Sequence, residues 1–393
     1  MKRILPVIVI SQFLCTSLWF AGSAVIGDIS QQLHLEPSYT GYLASAVQFG
    51  FISGTLIFAL LSIADRFSPS LVFFICAVLA AAVNLGIVIT GINALEIIFC
   101  RFLTGFFLAG IYPVGMKIAS DHYEQGLGQS LGFLLGALVL GTAFPHLLKS
   151  LTTGLPWKYV IYSTSLLSLT GGFLVYLIVP DGPFRQHGAE LRLTGFLKGF
   201  HNPRFRAVAF GYFGHQWEIY AFWVFIPVML KAYNHHYPQV QLNVSFMSFM
   251  IIASGSVACV CSGLLSRYVE AKKIASFSLL LSGICCILSP LMLLCGSVMV
   301  FIMFLFTWGM AVVADSPLFS ALIAQNAPAG AKGTSLTIVN CIGYSVTIIS
   351  IQLISVLRTD ENARYIYMLL AIGPALGLAA LLKNKNYAPV TVT

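Results

Sequence analysis

Residues 274–314 read IASFSLLLSGICCILSPLMLLCGSVMVFIMFLFTWGMAVVA, a run of 41 residues without one charged side chain. As a helix rising 1.5 Å per residue it would be about 61 Å long, twice the roughly 30 Å hydrocarbon core of a bilayer. It therefore divides into two spans, and Cys295-Gly296-Ser297 is the natural place for the turn. The whole chain follows the same pattern. Of its 393 residues 58% are hydrophobic and only 9% charged, with a mean hydropathy of +0.89. A soluble domain carries about 25% charged residues. A chain of this composition cannot cover itself with a wetted surface, which excludes a soluble enzyme, a nucleic-acid-binding domain and a disordered protein.

Working outward from that run, charged residues bound further apolar stretches. The first is Ile4–Ile26; its basic Lys2-Arg3 start imitates a signal peptide, but so many spans follow that a retained helix is expected. The second lies between Glu36 and Asp65 and the third between Arg66 and Glu96. The fourth covers about 97–116, the fifth 127–148 and the sixth 159–180. A polar segment from Asp181 to Arg206 separates these from a seventh span at 207–230 and an eighth between Lys231 and Arg267. The eleventh and twelfth cover about 333–357 and 365–382, and the expected count is twelve. An even count puts both termini on one side. With the termini inside, fifteen of the 21 Lys and Arg residues fall in inner segments and five in outer ones, while Arg101 stays within a span. That bias places the inner side, and both termini, in the cytoplasm of a cell whose inner membrane holds the chain. The nine cysteines lie in or beside apolar runs without Cys-x-x-Cys spacing and read as small buried hydrophobes, with no disulfide framework and no metal site.

The two halves match at a constant offset of 204 residues. Leu18-Trp19 aligns with Phe222-Trp223, Leu60-Leu61-Ser62 with Leu264-Leu265-Ser266, Tyr112-Pro113 with Ser316-Pro317, and Gly126 with Gly330. Six spans plus a connection equal that period. Both halves then share one orientation, as in a parallel repeat about an axis along the membrane normal, an arrangement expected to place a cavity at the interface near the midplane. The expected division is 1–180, a linker 181–206 and 207–393.

This arrangement resembles the major facilitator superfamily. Arg101-Phe102-Leu103-Thr104-Gly105, followed by Ala109-Gly110, is similar to the family's fourth-helix motif, and Asp65-Arg66 sits where the family's loop between helices 2 and 3 carries Asp-Arg. The sequence departs there: Leu61 replaces the leading glycine, and Pro69-Ser70 the basic pair. The equivalent loop between helices 8 and 9 keeps Gly263, Arg267, Lys272 and Lys273 without an aspartate. The resemblance implies an all-α membrane protein of twelve transmembrane helices in two pseudo-symmetric six-helix bundles, with Asp65, Arg66, Pro113 and Pro317 at gating positions. It also argues against some substrates. Span 2 lacks the arginine of nitrate carriers, and Phe144-Pro145-His146 replaces the Gly-Pro and Gly-Gly of drug–proton antiporters.

Ionisable groups near the bilayer centre are costly and usually face a cavity or a partner. Glu218 lies about 12 residues into span seven, and His215 three residues before it shares a helix face. A carboxylate beside an imidazole exchanges protons in the physiological range. The pair points to proton coupling or to recognition of a cationic substrate group; the competing reading is an ion pair that fixes helix packing. Asp315 precedes Ser316-Pro317, where proline frees a backbone carbonyl; it suits a gate, a substrate contact, or a salt bridge to Arg101. Arg101 can hold a substrate anion, govern proton release, or bind backbone carbonyls. Lys117 reads as a snorkelling residue. His146 can line a cavity or simply pack. Trp19, Tyr112, Trp217, Tyr220, Asn340 and Tyr344 are candidate pocket walls, although aromatic residues in spans mostly pack or face lipid. His235-His236 read as part of a solvated outer loop.

No Walker-type loop appears, so ATP is not the expected energy source, and no cofactor is expected. No serine or cysteine triad is legible. The expectation is a monomeric, proton-coupled carrier that imports a small hydrophilic organic solute (a zwitterion, an organic anion or a metal chelate), partnered only by substrate, protons and lipid. An exporter and a non-transporting scaffold or sensor are the alternatives.

Overall fold

A computed structural model describes residues 4–36, 38–123, 127–185, 199–328, 332–359 and 361–383, and for 127–129 the backbone alone. It is all-helical among these residues. The helices are α1 (Ile4–Thr16), α2 (Ala21–Ala24), α3 (Ile26–Leu33), α4 (Tyr39–Leu60), α5 (Ile63–Arg66), α6 (Pro69–Gly86), α7 (Ala94–Leu108), α8 (Tyr112–His122), α9 (Leu127–Leu151) and α10 (Lys158–Ile178). There follow α11 (Pro203–His236), α12 (Val244–Leu265), α13 (Ala271–Leu293), α14 (Val298–Ala314), α15 (Ser316–Asn326), α16 (Lys332–Leu357) and, after a 3-10 turn at Ile366–Ala371, α17 (Ile372–Lys383). Ten stretches among the described residues are long and apolar enough to cross a membrane, α7–α8 and α14–α15 each counting as one. The shorter α1 and the 34-residue α11, which carries the ionisable His215 and Glu218, account for the other two of the twelve expected.

Helix boundaries keep the register of the repeat. Ala94 and Val298, Tyr112 and Ser316, and His122 and Asn326 begin or end equivalent helices, and each pair lies 204 residues apart. The Gly126–Gly330 match and most of the 181–206 segment lie outside the described residues.

The structure corrects three boundaries. The first span is not one helix: α1 stops at Thr16, and the chain turns through Ser17–Phe20 before α2. The fourth span likewise breaks, at Ala109–Ile111, whereas the tenth breaks at Asp315, where Ser316-Pro317 is expected to kink it. His235 and His236 are not in a loop but form the exposed last turn of α11. That end is pinned because Tyr233 donates its hydroxyl to Cys295 O at 2.7 Å.

By contacts the chain forms two compact units, residues 1–190 with 242–253, and 191–241 with 254–393. In the first unit α4 and α7 touch along glycines, which lets their backbones approach as small residues do in membrane bundles. A Cβ placed on Gly50 would sit 1.9 Å from Phe102 O, and one on Gly105 2.0 Å from Val47 O. The unit's apolar core gathers Val25, Ile29, Leu43, Ile97 and Ile161. In the second unit Gly214 on α11 meets Gly373 of α17 in the same way, and a Cβ placed on Gly214 would sit 2.3 Å from Gly373 O. Phe205, Leu279, Phe319, Val339 and Leu381 fill that core.

Gly50→Ala must therefore push α4 from α7. Overpacking of this kind costs about 1–3 kcal/mol, and thermal unfolding in detergent should show a clear drop in melting temperature. Gly296→Ala, whose Cβ meets nothing within 4 Å, should leave it unchanged.

Candidate functional site

Two buried polar constellations lie within the spans, one in each unit. In the second unit, Glu218 on α11 is 1% exposed. Its carboxylate accepts from Trp308 Nε1 on α14 at 2.6 Å, and from Ser282 Oγ and Cys286 Sγ on α13 at 2.8 and 3.2 Å. All three neighbours donate. A set of donors matches a carboxylate and offers nothing to a cation. Among the described residues no group of three or more His, Cys, Asp or Glu side chains is placed to hold a metal.

The expected His215–Glu218 pair does not form. Spacing three apart puts both on one side of α11, but His215 turns to the break between α14 and α15. Its Nδ1 lies 2.9 Å from Asp315 Oδ1 and its Nε2 2.9 Å from Ser316 Oγ. Asp315 thus finds its partner in His215 and not in Arg101. The order Ser316–His215–Asp315 has the connectivity of a nucleophilic relay, which sequence spacing concealed because Asp315 and Ser316 are neighbours and His215 is 100 residues away. It lacks what acyl transfer needs. Pro317 has no N–H, and the N–H groups of Leu318 and Phe319 are bonded to Asp315 O at 3.0 and 2.9 Å, so none of these is left to form an oxyanion hole. What the contacts fix is one orientation of the imidazole between Asp315 and Ser316.

Around this pair, Tyr220 and Tyr344 meet hydroxyl to hydroxyl at 3.0 Å. Trp217 donates to Leu369 O at 3.1 Å, which fixes α11 to the 3-10 turn. Asn340 is half-buried on α16, and Pro317 opens α15.

In the first unit Arg101 is 1% exposed. Its Nη2 donates to Leu18 O at 2.9 Å and Trp19 O at 2.5 Å, and its Nη1 to Asn84 Oδ1 at 3.1 Å. Asn84 in turn donates to Ser165 Oγ at 2.9 Å. Gly22 leaves room for the stem, since a Cβ there would lie 3.1 Å from Arg101 Cδ. Arg101 therefore supplies the donors that the broken first span lacks, the carbonyl-binding role among its three expected readings. Trp19 packs its ring 4.9 Å from that of Phe51. Tyr112 is buried at the start of α8, and Pro113 follows it. His146 is 2% exposed, and its Nε2 has no hydrogen-bond partner.

At one end of this unit Asp65 pairs with Lys117 Nζ at 2.8 Å, while Arg66 is exposed. Lys117 also lies 3.6 Å from Asp121, so it is an ion-pair centre and not a snorkelling chain. Arg185 bonds Asp181 at 2.6 Å and donates to Asp65 O and Phe67 O at 3.2 and 2.7 Å. Sequence reasoning missed Trp308, Ser282, Cys286, Asn84 and Arg185. All but the last look like ordinary span residues, and only contact with a buried charge reveals them.

Residues 8–351 match the Major Facilitator Superfamily. No curated protein sequence matches significantly. Among solved structures, the proton:xylose symporter XylE bound to 6-bromo-6-deoxy-D-glucose aligns over 99% of this chain and 96% of its own, with a TM-score of 0.74 and 14% identity. The human organic anion transporter MFSD10 (TETRAN) aligns over 97% and 99%, with a TM-score of 0.72 and 14% identity. A partially occluded inward-open form of XylE from E. coli aligns over 97% of both chains, with a TM-score of 0.74 and 12% identity. At such identities the likeness is one of fold.

Arg101→Met would strand the Trp19 carbonyl and the Asn84 oxygen in a dry interior, at about 1–3 kcal/mol for each unsatisfied group, and leave Leu18 O with only the Ala21 N–H at 3.4 Å. Melting in detergent should fall by several degrees. Arg101→Lys should recover only part of the loss, because an ammonium lacks the guanidinium fork.

Proposed function

The chain belongs to the Major Facilitator Superfamily, and from that premise we propose that it is a proton-coupled secondary transporter. It imports a small hydrophilic organic solute by alternating access. It works as a monomer in the inner membrane, with both termini in the cytoplasm, and its six-helix halves 1–180 and 207–393 are joined by 181–206. The excess of Lys and Arg in the inner segments supports that orientation.

The observation that carries the proton coupling is Glu218, a carboxylate sealed in a membrane span with three donors and no countercharge bonded to it. Such a group is a proton carrier if it can change state without leaving a neighbour unsatisfied. Ser282 provides that freedom. Its hydroxyl reaches both Glu218 Oε2 at 2.8 Å and Leu279 O at 3.2 Å. When Oε2 takes a proton, the hydroxyl turns to Leu279 O and accepts from the acid. Asp315 and His215 form a second buried polar pair one helical turn away along α11, at the break that divides the tenth span.

The sign follows from import. Glu218 loads a proton from the outer side and releases it within, so uptake rises as the outside is made more acidic than the inside. A solute found by thermal-shift screening, where a ligand of the folded state raises the melting temperature, should accumulate in proteoliposomes under an inward proton gradient. A protonophore should abolish the accumulation. Glu218→Gln, a fixed mimic of the protonated state, should lose gradient-driven accumulation by at least about tenfold yet keep solute exchange. Uptake indifferent to the gradient in the unaltered protein would overturn the coupling.

A further inference from the structure

The three donors around the Glu218 carboxylate are not alike. Trp308 on α14 and Cys286 on α13 both reach Oε1, at 2.6 and 3.2 Å, while Ser282 on α13 reaches Oε2 at 2.8 Å. Trp308 and Cys286 are 0% exposed and Ser282 1%, so bulk water touches none of these contacts. An indole N–H only donates. The Trp308 ring is wedged by Phe222 and Phe304, with centroids 4.6 and 5.6 Å away, and Glu218 Oε1 is its one hydrogen-bond acceptor among the described residues. The Cys286 thiol donates to that same oxygen. Ser282 has a choice, because its hydroxyl also lies 3.2 Å from Leu279 O and its oxygen accepts as well as donates.

A proton arriving at this carboxylate therefore has two unequal places to go. On Oε1 its hydrogen would meet those of Trp308 and Cys286, and the indole N–H would be left dry without an acceptor. Buried donors are satisfied in the great majority of cases. On Oε2 nothing is stranded. Oε1 becomes the carbonyl oxygen and still accepts both donors. The new O–H donates to Ser282 Oγ, and Ser282 donates to Leu279 O.

We propose that Trp308 and Cys286 are positioning residues, which direct the coupling proton to the carboxyl oxygen facing Ser282. This rests on the proton-coupled reading above and adds the residues that decide where the proton sits. The bond from α14 to α11 through Trp308 then persists in both states of Glu218, and the change of partner falls on α13 alone. The surrounding titratable groups leave this choice to the donors. Cys285 and Cys286 face Glu218 from α13, and Asp315 faces it from the break between α14 and α15. Asp315 is itself 2.9 Å from His215. From α16 Tyr344 meets Tyr220 at 3.0 Å, and Tyr367 of the 3-10 turn lies against Phe225. Lys272 and Lys273 in the first turn of α13, Lys332 of α16 and Lys383 of α17 stand at helix ends.

The test is infrared difference spectroscopy of the purified full-length protein in detergent, acidified stepwise with neither solute nor gradient. The C=O stretch of protonated Glu218 is the band that Glu218→Gln lacks. With the proton on the oxygen facing Ser282, the C=O oxygen accepts two hydrogen bonds, which lower its frequency. Trp308→Phe, which keeps a ring and loses the donor, should move the band to higher frequency. Cys286→Ala should move it the same way by less, since a thiol is a weak donor, and Cys286→Ser, which keeps a donor, should return it to low frequency. In the unaltered protein the S–H stretch of Cys286, assigned by its loss in Cys286→Ala, reads the same oxygen with Trp308 in place. It should rise as the carboxylate becomes a carbonyl yet stay below the frequency of an unbonded thiol. A C=O band that Trp308→Phe leaves in place while Ser282→Ala raises it puts the proton on the other oxygen and overturns the proposal. An S–H stretch at the unbonded frequency in acid overturns it as well. If no Glu218 band appears at any pH at which the protein stays folded, this proposal and the proton coupling fall together. Bands that behave as expected in a protein whose uptake ignores the gradient leave the proposal standing and remove the coupling alone.

Discussion

The guanidinium of Arg101 closes on the carbonyls of Leu18 and Trp19, supplying donors that the lipid cannot. A helix interrupted in mid-membrane releases backbone acceptors, and lipid offers no donor to them. The first span of this chain breaks at Ser17–Phe20 without a proline, and the break is tenable only with a donor brought from another helix. Arg101 does this from α7, held in turn by Asn84 of α6, which is fixed by Ser165 of α10. Helix interruption, buried cation and glycine at position 22 form one device, and the packing of the first unit depends on all three.

The tenth span shows a different solution. There Asp315 sits at the break, its carbonyl accepts from Leu318 and Phe319, and its side chain is held by His215. Superposing the halves by register brings out how independently their polar groups are placed. Arg101 corresponds to Leu305, Glu218 to Leu14, Asp315 to Ile111 and His215 to Ser11. The donors around Glu218 fare the same way, Ser282 corresponding to Val78 and Cys286 to Ala82. The frame is duplicated, down to helix ends 204 residues apart; the charges on it are not.

Apolar length, the offset of the halves and the breaks after Gly110 and before Pro317 have sequence signals, and most spans were legible from them. The break after Thr16 was not, because Ser17-Leu18-Trp19-Phe20 contains neither glycine nor proline and its partner lies 82 residues downstream of Trp19. The depth of Glu218, His215 and Asp315 could be counted along a helix, but their pairing could not. Helical spacing says which side chains share a face, and a face as wide as that of α11 meets α13, α14 and α15 at once. Cys286 illustrates the limit: among apolar residues it reads as a hydrophobe, and only the carboxylate 3.2 Å away makes it a donor.

Pairing within a unit has a mechanical consequence. Removing one partner of a buried charge costs about 3–5 kcal/mol. A carrier whose halves shared ion pairs deep in lipid would meet that cost whenever they moved apart. Among the described residues Arg101 bonds to groups of the first unit, and Glu218 and Asp315 to groups of the second.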